Sequence, residues 1–401
     1  MIKGLSLFSN IGIAEAYFEE IGVEICLANE LIEKRANLYQ HLYPRTQMIC
    51  GDITQDDVRD KIVKKAKELG VNFIIATPPC QGMSVAGRRN PNDPRNQLIY
   101  YAIDLVKRIS PLFVLLENVP RQLKTKICAH GQMLLIPDYI KRELNEDYRF
   151  NDETLIKAMH YSVPQRRERS IFLLAKKSIG ITWKFPEKHT EIITLEKAIG
   201  HLPSLDPLLR EGKKLTDQKF PNFDIKRQAG EAISVWHKPT VHPWRHVEWM
   251  MHTPTGISAI FNQEHFPRKK DNTKIIAHHN HYRRLNWDLP CRTVTKFNAY
   301  ISTLCSVHPG RRTRSLNGDI FYSDARVLSI FELMIVMTIP FDWDIPINTE
   351  DSFLRTVIGE GIPPNLTKVL MLALQEQLNQ RVSTGLPLQG SRRLSTSRHL
   401  Q

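Results

Sequence analysis

Along the first 180 residues, short unbroken apolar runs alternate with longer stretches in which apolar side chains recur every three or four positions. The runs at 4–8, 24–28, 48–50, 73–76 and 112–116 predict strands buried on both faces. The patterns between them, at 13–21, 32–42, 58–69 and 98–109, predict helices, and a late strand is expected at 170–175. Strand and helix in alternation specify a doubly wound parallel sheet, an α/β fold. From about 182 to 318 the alternation dissolves into Pro-, His- and Trp-rich sequence, and helical periodicity returns at 326–337 and 364–378. The expected organisation is a regular domain made of 1–190 and completed by 319–380, interrupted by a smaller, irregular domain at 191–318. Residues 381–401, without a single acid, predict a disordered tail.

Composition adds a partner. The 401 residues carry a net charge of +13. The excess is concentrated: between 260 and 320, eleven Lys/Arg face four acids, a net +7, with Phe261, Phe266, Tyr282, Trp287, Phe297 and Tyr300 interleaved. A cationic surface gains affinity for a polyanion by releasing counterions, so a nucleic acid is the expected partner. The longest apolar stretch, near 334–340, is too short to span a bilayer, and the N-terminus lacks the pattern of a signal peptide. Six scattered cysteines (26, 50, 80, 128, 291, 305) show no Cys-x-x-Cys, which suits a reducing compartment. A cytoplasmic protein with no membrane association is expected. The cluster His278-His279-Asn280-His281, taken with Cys291, Cys305 and His308, matches no standard zinc spacing, and no metal is expected.

The chemistry gathers at the ends of the predicted strands, where open α/β sheets bind ligands. The first strand leads into Leu7-Phe8-Ser9-Asn10-Ile11-Gly12, a tight turn able to present backbone N–H groups, with Asn10 and Gly12 both tolerant of positive φ. The second strand ends at Glu30, eighteen residues beyond Gly12, a spacing at which an acid commonly takes ribose hydroxyls. The third ends in Gly51-Asp52-Ile53. Each alone is better read as a turn residue or a solvated acid; three in register point to a nucleoside-type cofactor. The fourth strand runs into Thr77-Pro78-Pro79-Cys80-Gln81-Gly82, which delivers a thiol to a stiffened loop. The fifth ends in Glu117-Asn118-Val119, where partial burial would make Glu117 a usable proton donor. In Gln165-Arg166-Arg167-Glu168-Arg169, strand alternation puts Arg167 and Arg169 on one face.

In this order and spacing, Pro78-Pro79-Cys80-Gln81, Glu117-Asn118-Val119 and Gln165–Arg169 resemble the motifs of the DNA (cytosine-5)-methyltransferase family. The turn from Phe8 to Gly12 resembles its cofactor turn. Arg326-Val327-Leu328-Ser329-Ile330-Phe331-Glu332 resembles its late helix, and Gly359-Glu360-Gly361-Ile362-Pro363-Pro364 its last turn. The likeness covers about 1–180 and 320–380. Two positions depart from the pattern: Asn10 replaces the usual first glycine, and Glu360 replaces the usual asparagine, placing a charge near the expected cofactor pocket.

The resemblance implies an S-adenosylmethionine-dependent, Rossmann-like methyltransferase sheet with a smaller, irregular target-recognition domain at 191–318. S-adenosylmethionine would lie among Phe8, Asn10, Gly12, Glu30, Asp52, Ile53 and Pro78. Cys80 would add to C6 of a cytosine flipped out of double-stranded DNA, Glu117 would serve N3, and Arg169, helped by Arg167, would hold O2. A loop over 82–97, carrying Arg88 and Arg89, would close on the DNA, and Arg283 and Arg284 would contact it from the insertion. The family setting is bacterial modification beside a cognate restriction endonuclease, and a monomer is expected. A catalytically silent DNA-binding protein would have lost Cys80 or Glu117, and both are present. An RNA-directed cytosine-5 methyltransferase is the other alternative; the Pro-Pro-Cys-Gln setting favours DNA.

Overall fold

The computed structural model describes residues 1–79, 94–302, 304, 307–314 and 319–383. Strands β1 (Ile2–Leu7), β2 (Val23–Glu30), β3 (Gln47–Cys50), β4 (Phe73–Ala76) and β5 (Phe113–Asn118) are parallel. A hairpin of β6 (Lys126–Ala129) and β7 (Gln132–Leu135) follows, then β8 (Tyr148–Phe150), β9 (Leu155–Lys157) and the long β10 (Glu168–Lys176), which runs antiparallel to β5. The main sheet has the order β3-β2-β1-β4-β5-β10-β8, with β9 also paired to β10. From β1 the chain moves outward through β2 and β3, then returns to β4 on the other side of β1. The ends of β1 and β4 therefore flank the point where strand order reverses, which is where such sheets open a ligand crevice.

Helices α1 (Glu33–Leu42), α2 (Asp56–Leu69), α3 (Leu98–Ile109) and α4 (Ile136–Leu144) cover the sheet. Leu5, Leu7, Ile74, Val114 and Leu116 pack against α2, α3 and α4 on one face. On the other face Phe73, Phe113 and Leu115 pack against the C-terminal helix, in which Leu366, Leu370 and Leu374 are buried. Trp183 sits edge-on to Phe73 and Phe113 and donates its indole N–H to the carbonyl of Leu370 at 2.9 Å.

The expected helix at 13–21 is instead two separate 3-10 turns, Ile13–Glu15 and Glu19–Ile21. Ile13 anchors in one apolar cluster while Ala14 and Phe18 anchor in another, so the short link cannot continue as one helix. The 82–97 loop also needs correction at its end: Pro94–Gln97 forms a 3-10 turn leading into α3, with Asn96 buried. Residues 80–93 lie outside the described residues.

The insertion is more regular than its sequence pattern suggests. It holds α5 (Leu195–Ile199), α6 (Lys213–Lys219), α7 (Phe223–Ile233) and α8 (Trp244–Met251). Short strands β11 (Leu208–Leu209) and β12 (Val241–His242) pair with each other, as do β13 (Arg312–Arg314) and β14 (Ile320–Tyr322). Leu209, Phe220, Phe223, Val247, Trp249, Met250, Ile301 and Val307 give it an apolar core of its own. After it, α9 (Ile330–Val336) begins in a capping box in which Ser329 and Glu332 exchange side-chain-to-backbone hydrogen bonds. Helices α10 (Asp351–Glu360) and α11 (Pro364–Ser383) complete the chain; α11 runs into the stretch expected to be a tail, and 384–401 lie outside the described residues. Among the described residues no helix is long and apolar enough to cross a membrane.

Candidate active site

Three strand ends are tied together at the switch point. Thr77 donates its backbone N–H to the carbonyl of Leu7 at 3.3 Å and its hydroxyl to the carbonyl of Phe8 at 3.2 Å. The carbonyl of Pro78, which is buried, accepts from Asn118 Nδ2 at 3.1 Å. The segment that leads to Cys80 is thus pinned between the turn after β1 and the end of β5. Cys80 itself, with Arg88 and Arg89, lies outside the described residues.

The turn after β1 has Phe8 at φ 57°, Asn10 at φ 53° and Gly12 at φ 82°. Gly12 is required twice over: its φ is left-handed, and a Cβ there would stand 2.1 Å from Cε2 of Tyr43. Tyr43 donates its hydroxyl to the Gly12 carbonyl at 2.6 Å. Asn10 holds the turn from both sides, giving its backbone N–H to Glu30 Oε2 at 2.9 Å and its Nδ2 to the carbonyl of Val357 at 3.0 Å. Glu30 Oε1 accepts from the N–H of Ile32 at 3.0 Å, and burial raises the carboxyl's pKa. A carboxylate has about four lone-pair sites, so Glu30 keeps acceptor capacity toward the crevice. Asp52 Oδ1 accepts from the Thr54 N–H at 2.9 Å, and Ile53 is buried beside it in the apolar core.

These residues suit S-adenosylmethionine. Asn10 Oδ1 is buried with no hydrogen-bond partner among the described residues, an acceptor suited to an ammonium or hydroxyl donor. The turn has no room for a side chain at Gly12, and Glu30 adds a second acceptor on the same side of the sheet.

On the other side of Pro78, Glu117 and Arg169 form a buried ion pair, Nε to Oε1 at 2.7 Å, with each side chain only 9% exposed. The pairing follows from register. Ser170 lies opposite Asn118 in the β5–β10 ladder, so Glu117 and Arg169 are diagonal neighbours on one face. Burial raises the pKa of Glu117, while Arg169 and then Arg167 oppose the rise. The result is a carboxyl able to carry a proton at a higher pH than usual, held in place by a cation.

Arg167 shares the inward face with Arg169, and Arg166 is exposed. The Arg167 guanidinium, however, donates to the carbonyls of Val294 (2.8 Å), Gly359 (3.2 Å) and Gly361 (2.6 Å). It braces the backbone around the site and adds its field at Glu117.

In the insertion, Arg283 and Arg284 form successive isolated bridges, Arg283 with Ser258 and Arg284 with Val307, directly after a left-handed Tyr282 at φ 48°. Neighbours in an extended chain face opposite ways, and these two do. Arg283 is partly exposed. Arg284 is 1% exposed and donates to the carbonyls of Met250, His308, Tyr322 and Asp324 at 2.8–3.2 Å. Arg284 therefore offers nothing to a nucleic acid, which corrects the expectation that it contacts DNA.

The residues that sequence reasoning missed are those that shape the turn from beneath. Glu15 is buried and accepts from Tyr39 Oη at 3.0 Å; burial pushes its pKa to about 7 against the hydrogen bonds of Ser6 and Tyr39. No motif marks it, since an isolated acid in a short link reads as solvated. Among the described residues no group of three His, Cys, Asp or Glu could hold a metal ion. Cys26, Cys50 and Cys128 are free thiols.

An open α/β sheet with a positive-φ turn, the segment leading to Cys80 and a buried Glu–Arg pair around one switch point has the architecture of a methyltransferase. The solved structure of a DNA modification methyltransferase encoded within an Escherichia coli prophage shares the fold. Its TM-score is 0.64 at 22% identity, over 94% of this chain and 100% of that one. The family model for C-5 cytosine-specific DNA methylase matches residues 2–376. Type II methyltransferase M1.HgaI of Avibacterium volantium is 41% identical over 370 residues, 91% of this chain and 96% of its own. Type II methyltransferase M.Eco47II of Escherichia coli is 26% identical over 385 residues, 94% of this chain and 80% of its own. The chain belongs to the C-5 cytosine-specific DNA methylase family, and its activity is DNA cytosine-C5 methyl transfer.

Proposed function

We propose that this protein methylates C5 of a cytosine extruded from a specific double-stranded DNA sequence, through a transient bond between Cys80 and C6, with S-adenosylmethionine as donor. The observation that carries the reading is the double tie of the Thr77-Pro78 segment, to the Phe8 turn on one side and to Asn118 on the other. It supports a single crevice shared by the thiol, the cofactor and the base, because the residues that precede Cys80 are held beside both the turn after β1 and the end of β5.

Phe8, Asn10, Gly12, Glu30, Asp52, Ile53 and Pro78 would hold the cofactor, whose sulfonium supplies an electrophilic methyl group. Cys80 as thiolate adds to C6, and the C5=C6 electron pair shifts to C5, making that carbon the nucleophile. Glu117, kept protonatable by burial, donates a proton to N3 so that negative charge does not accumulate in the ring. Arg169 fixes the Glu117 carboxyl and would hold the base at O2. Once C5 carries the donor's methyl group, loss of the C5 proton to a base restores the C5=C6 bond and expels the Cys80 thiolate, while N3 returns its proton to Glu117. Because C5 and C6 are shielded within a duplex, the target nucleotide must leave the stack.

Residues 1–190 and 319–380 would be the catalytic domain and 191–318 the target-recognition domain, with Arg283, Arg88 and Arg89 on phosphates or base edges. The protein would act as a cytoplasmic monomer, as the modification half of a restriction-modification system.

Trapping on duplex DNA with 5-fluorocytosine at the target tests the covalent step, because fluorine at C5 blocks the proton loss that frees the enzyme. In the presence of S-adenosylmethionine a denaturation-resistant adduct is expected with the wild-type chain. Cys80→Ser should give none and no methyl transfer, yet still bind the duplex. Tritiated-methyl transfer by Cys80→Ser, or an active wild type that forms no adduct, overturns the mechanism.

A further inference from the structure

The end of α10 is a meeting point for the cofactor turn, β10 and the insertion's return segment. Asn10 reaches the carbonyl of Val357 from the turn, and Arg167 reaches those of Gly359 and Gly361 from β10. Gly359 packs so closely on the return segment that a Cβ would lie 2.4 Å from the Thr295 carbonyl, and a Cβ on Gly361 would lie 2.8 Å from Ile13 Cδ1. Between these two glycines stands Glu360, a charged residue in a tightly packed joint. It is met by cations from two directions: Arg35 Nη2 of α1 at 2.7 Å, and Lys296 Nζ of the return segment at 3.9 Å.

Both ends of the Arg35–Glu360 pair lie close to the same turn. Glu30 accepts the Asn10 N–H and also the Ile32 N–H at the start of α1, the helix that carries Arg35. Val357, which accepts from Asn10 Nδ2, lies one helical turn before Glu360 on α10. The ion pair therefore closes a loop: turn to Glu30 to α1 to Arg35, then Glu360 to α10 to Val357 and back to Asn10. With side-chain exposures of 17% for Arg35 and 24% for Glu360, the pair is shielded enough to hold more firmly than a surface contact.

We infer that Glu360 is a positioning residue. Together with Arg35 and Lys296 it forms an ionic clasp that holds α1 and the insertion's return segment against the end of α10 and so fixes the cofactor turn in its binding geometry. The inference rests on the reading that this turn holds S-adenosylmethionine. It also gives the two departures from the family pattern one purpose, because Asn10 ties the turn to α10 directly and Glu360 ties α10 to α1, the helix that follows Glu30. The clasp is asymmetric. Arg35 is at direct hydrogen-bond distance, whereas Lys296 acts as a looser charge, so their removal should differ in effect.

Titration calorimetry of S-adenosylmethionine into the full-length protein, with melting temperature recorded in parallel, tests this. Glu360→Gln is expected to raise Kd about tenfold with little change in melting temperature. Arg35→Met should match it, Arg35→Lys should restore most of the affinity, and Lys296→Met should cost only about twofold to threefold. The double variant Glu360→Gln/Arg35→Met should bind no worse than either single one, since both remove the same contact. In methyl transfer the loss should lie in the cofactor KM, with kcat held within about twofold. A Kd for Glu360→Gln within about twofold of wild type, additive losses in the double variant, or parallel losses of kcat and melting temperature overturn the clasp. A wild-type chain that does not bind S-adenosylmethionine overturns the proposed function instead.

Discussion

In the main sheet, backbone N–H and C=O groups pair strand to strand, and the charged residues there need not serve the backbone. In the insertion and its junction, paired strands are only two or three residues long, and many carbonyls are left to other donors. Buried guanidinium groups supply those donors. Arg284 binds four carbonyls. Arg326 binds the carbonyls of Leu205 and Val327 together with Asp324 and Glu332. Arg355 joins Asp351 on its own helix to Asn298 of the return segment. The same residue type thus has two roles: beside the sheet Arg169 addresses the buried Glu117 carboxyl, and in the insertion arginine substitutes for a missing strand. What decides between them is whether the local backbone satisfies itself.

The sharpest test of the sheet's half of this comparison is Glu117→Gln. If Glu117 moves a proton, kcat should fall by about 10² to 10⁴ while the fold persists, measured by methyl transfer on target duplex. Burial raises its pKa, so the proton-bearing form survives to higher pH than an ordinary glutamate and is lost as pH rises through the shifted value. The wild-type rate should therefore decline on the alkaline side, and Glu117→Gln should lack that limb.

For the insertion's half, Arg284→Met should destabilise by about 3–5 kcal/mol in urea unfolding, because several buried carbonyls lose their donor at once. Burial already draws the Arg284 pKa down to about 9, a mark of how fully it is desolvated. Arg169→Met should behave in the opposite manner, costing most of the activity but only about 1–2 kcal/mol of stability, since Glu117 can take up a proton once its partner is gone. Equal destabilisation by the two substitutions would erase the distinction.

The same contrast explains what the sequence made legible. Strands buried on both faces read as continuous apolar runs, so β1 to β5 could be placed within about two residues at each end. Alternation put Arg167 and Arg169 on one face, but the pairing of Arg169 with Glu117 needed the register of β5 against β10. Helices α5 to α8 were not legible because they are short and bury few residues each; α6 buries Thr216 alone. Nothing in an Arg-Arg dipeptide says which member faces inward, so Arg283 and Arg284 were indistinguishable until Ser258 and Val307 fixed their pairing. Arg167 was read through its shared face with Arg169, but the carbonyls that engage it come from residues 294, 359 and 361, too far along the chain for any local pattern to reveal.

Glu15 tests whether buried charge beneath the cofactor turn is structural or tolerated. Its folded pKa is about 7 against an ordinary 4.5, so the native state prefers the protonated form. The penalty is absent below pH 4.5, grows as pH rises toward 7 and is complete above it. Glu15→Gln, which keeps an acceptor for Tyr39, should match wild type near pH 4.5 and exceed it at pH 8 by up to roughly 3 kcal/mol. Chemical denaturation at the two pH values measures the difference, and a variant no more stable at pH 8 would show that the carboxylate finds compensation in the native state.

The smallest expected effect separates the adjacent arginines most directly. Arg283 is partly exposed and makes no hydrogen bond or ion pair among the described residues, so Arg283→Ala should leave unfolding free energy within about 0.5 kcal/mol of wild type. If Arg283 meets a phosphate, target-duplex affinity should fall only a few-fold, about 1 kcal/mol, and the slope of log affinity against log salt should drop by about 1. If it reads a base edge, the salt slope should hold while discrimination at one base pair relaxes by about 1–3 kcal/mol. Salt titrations on target and single-mismatch duplexes distinguish the two, and unchanged affinity in both would remove this face of the insertion from the DNA interface.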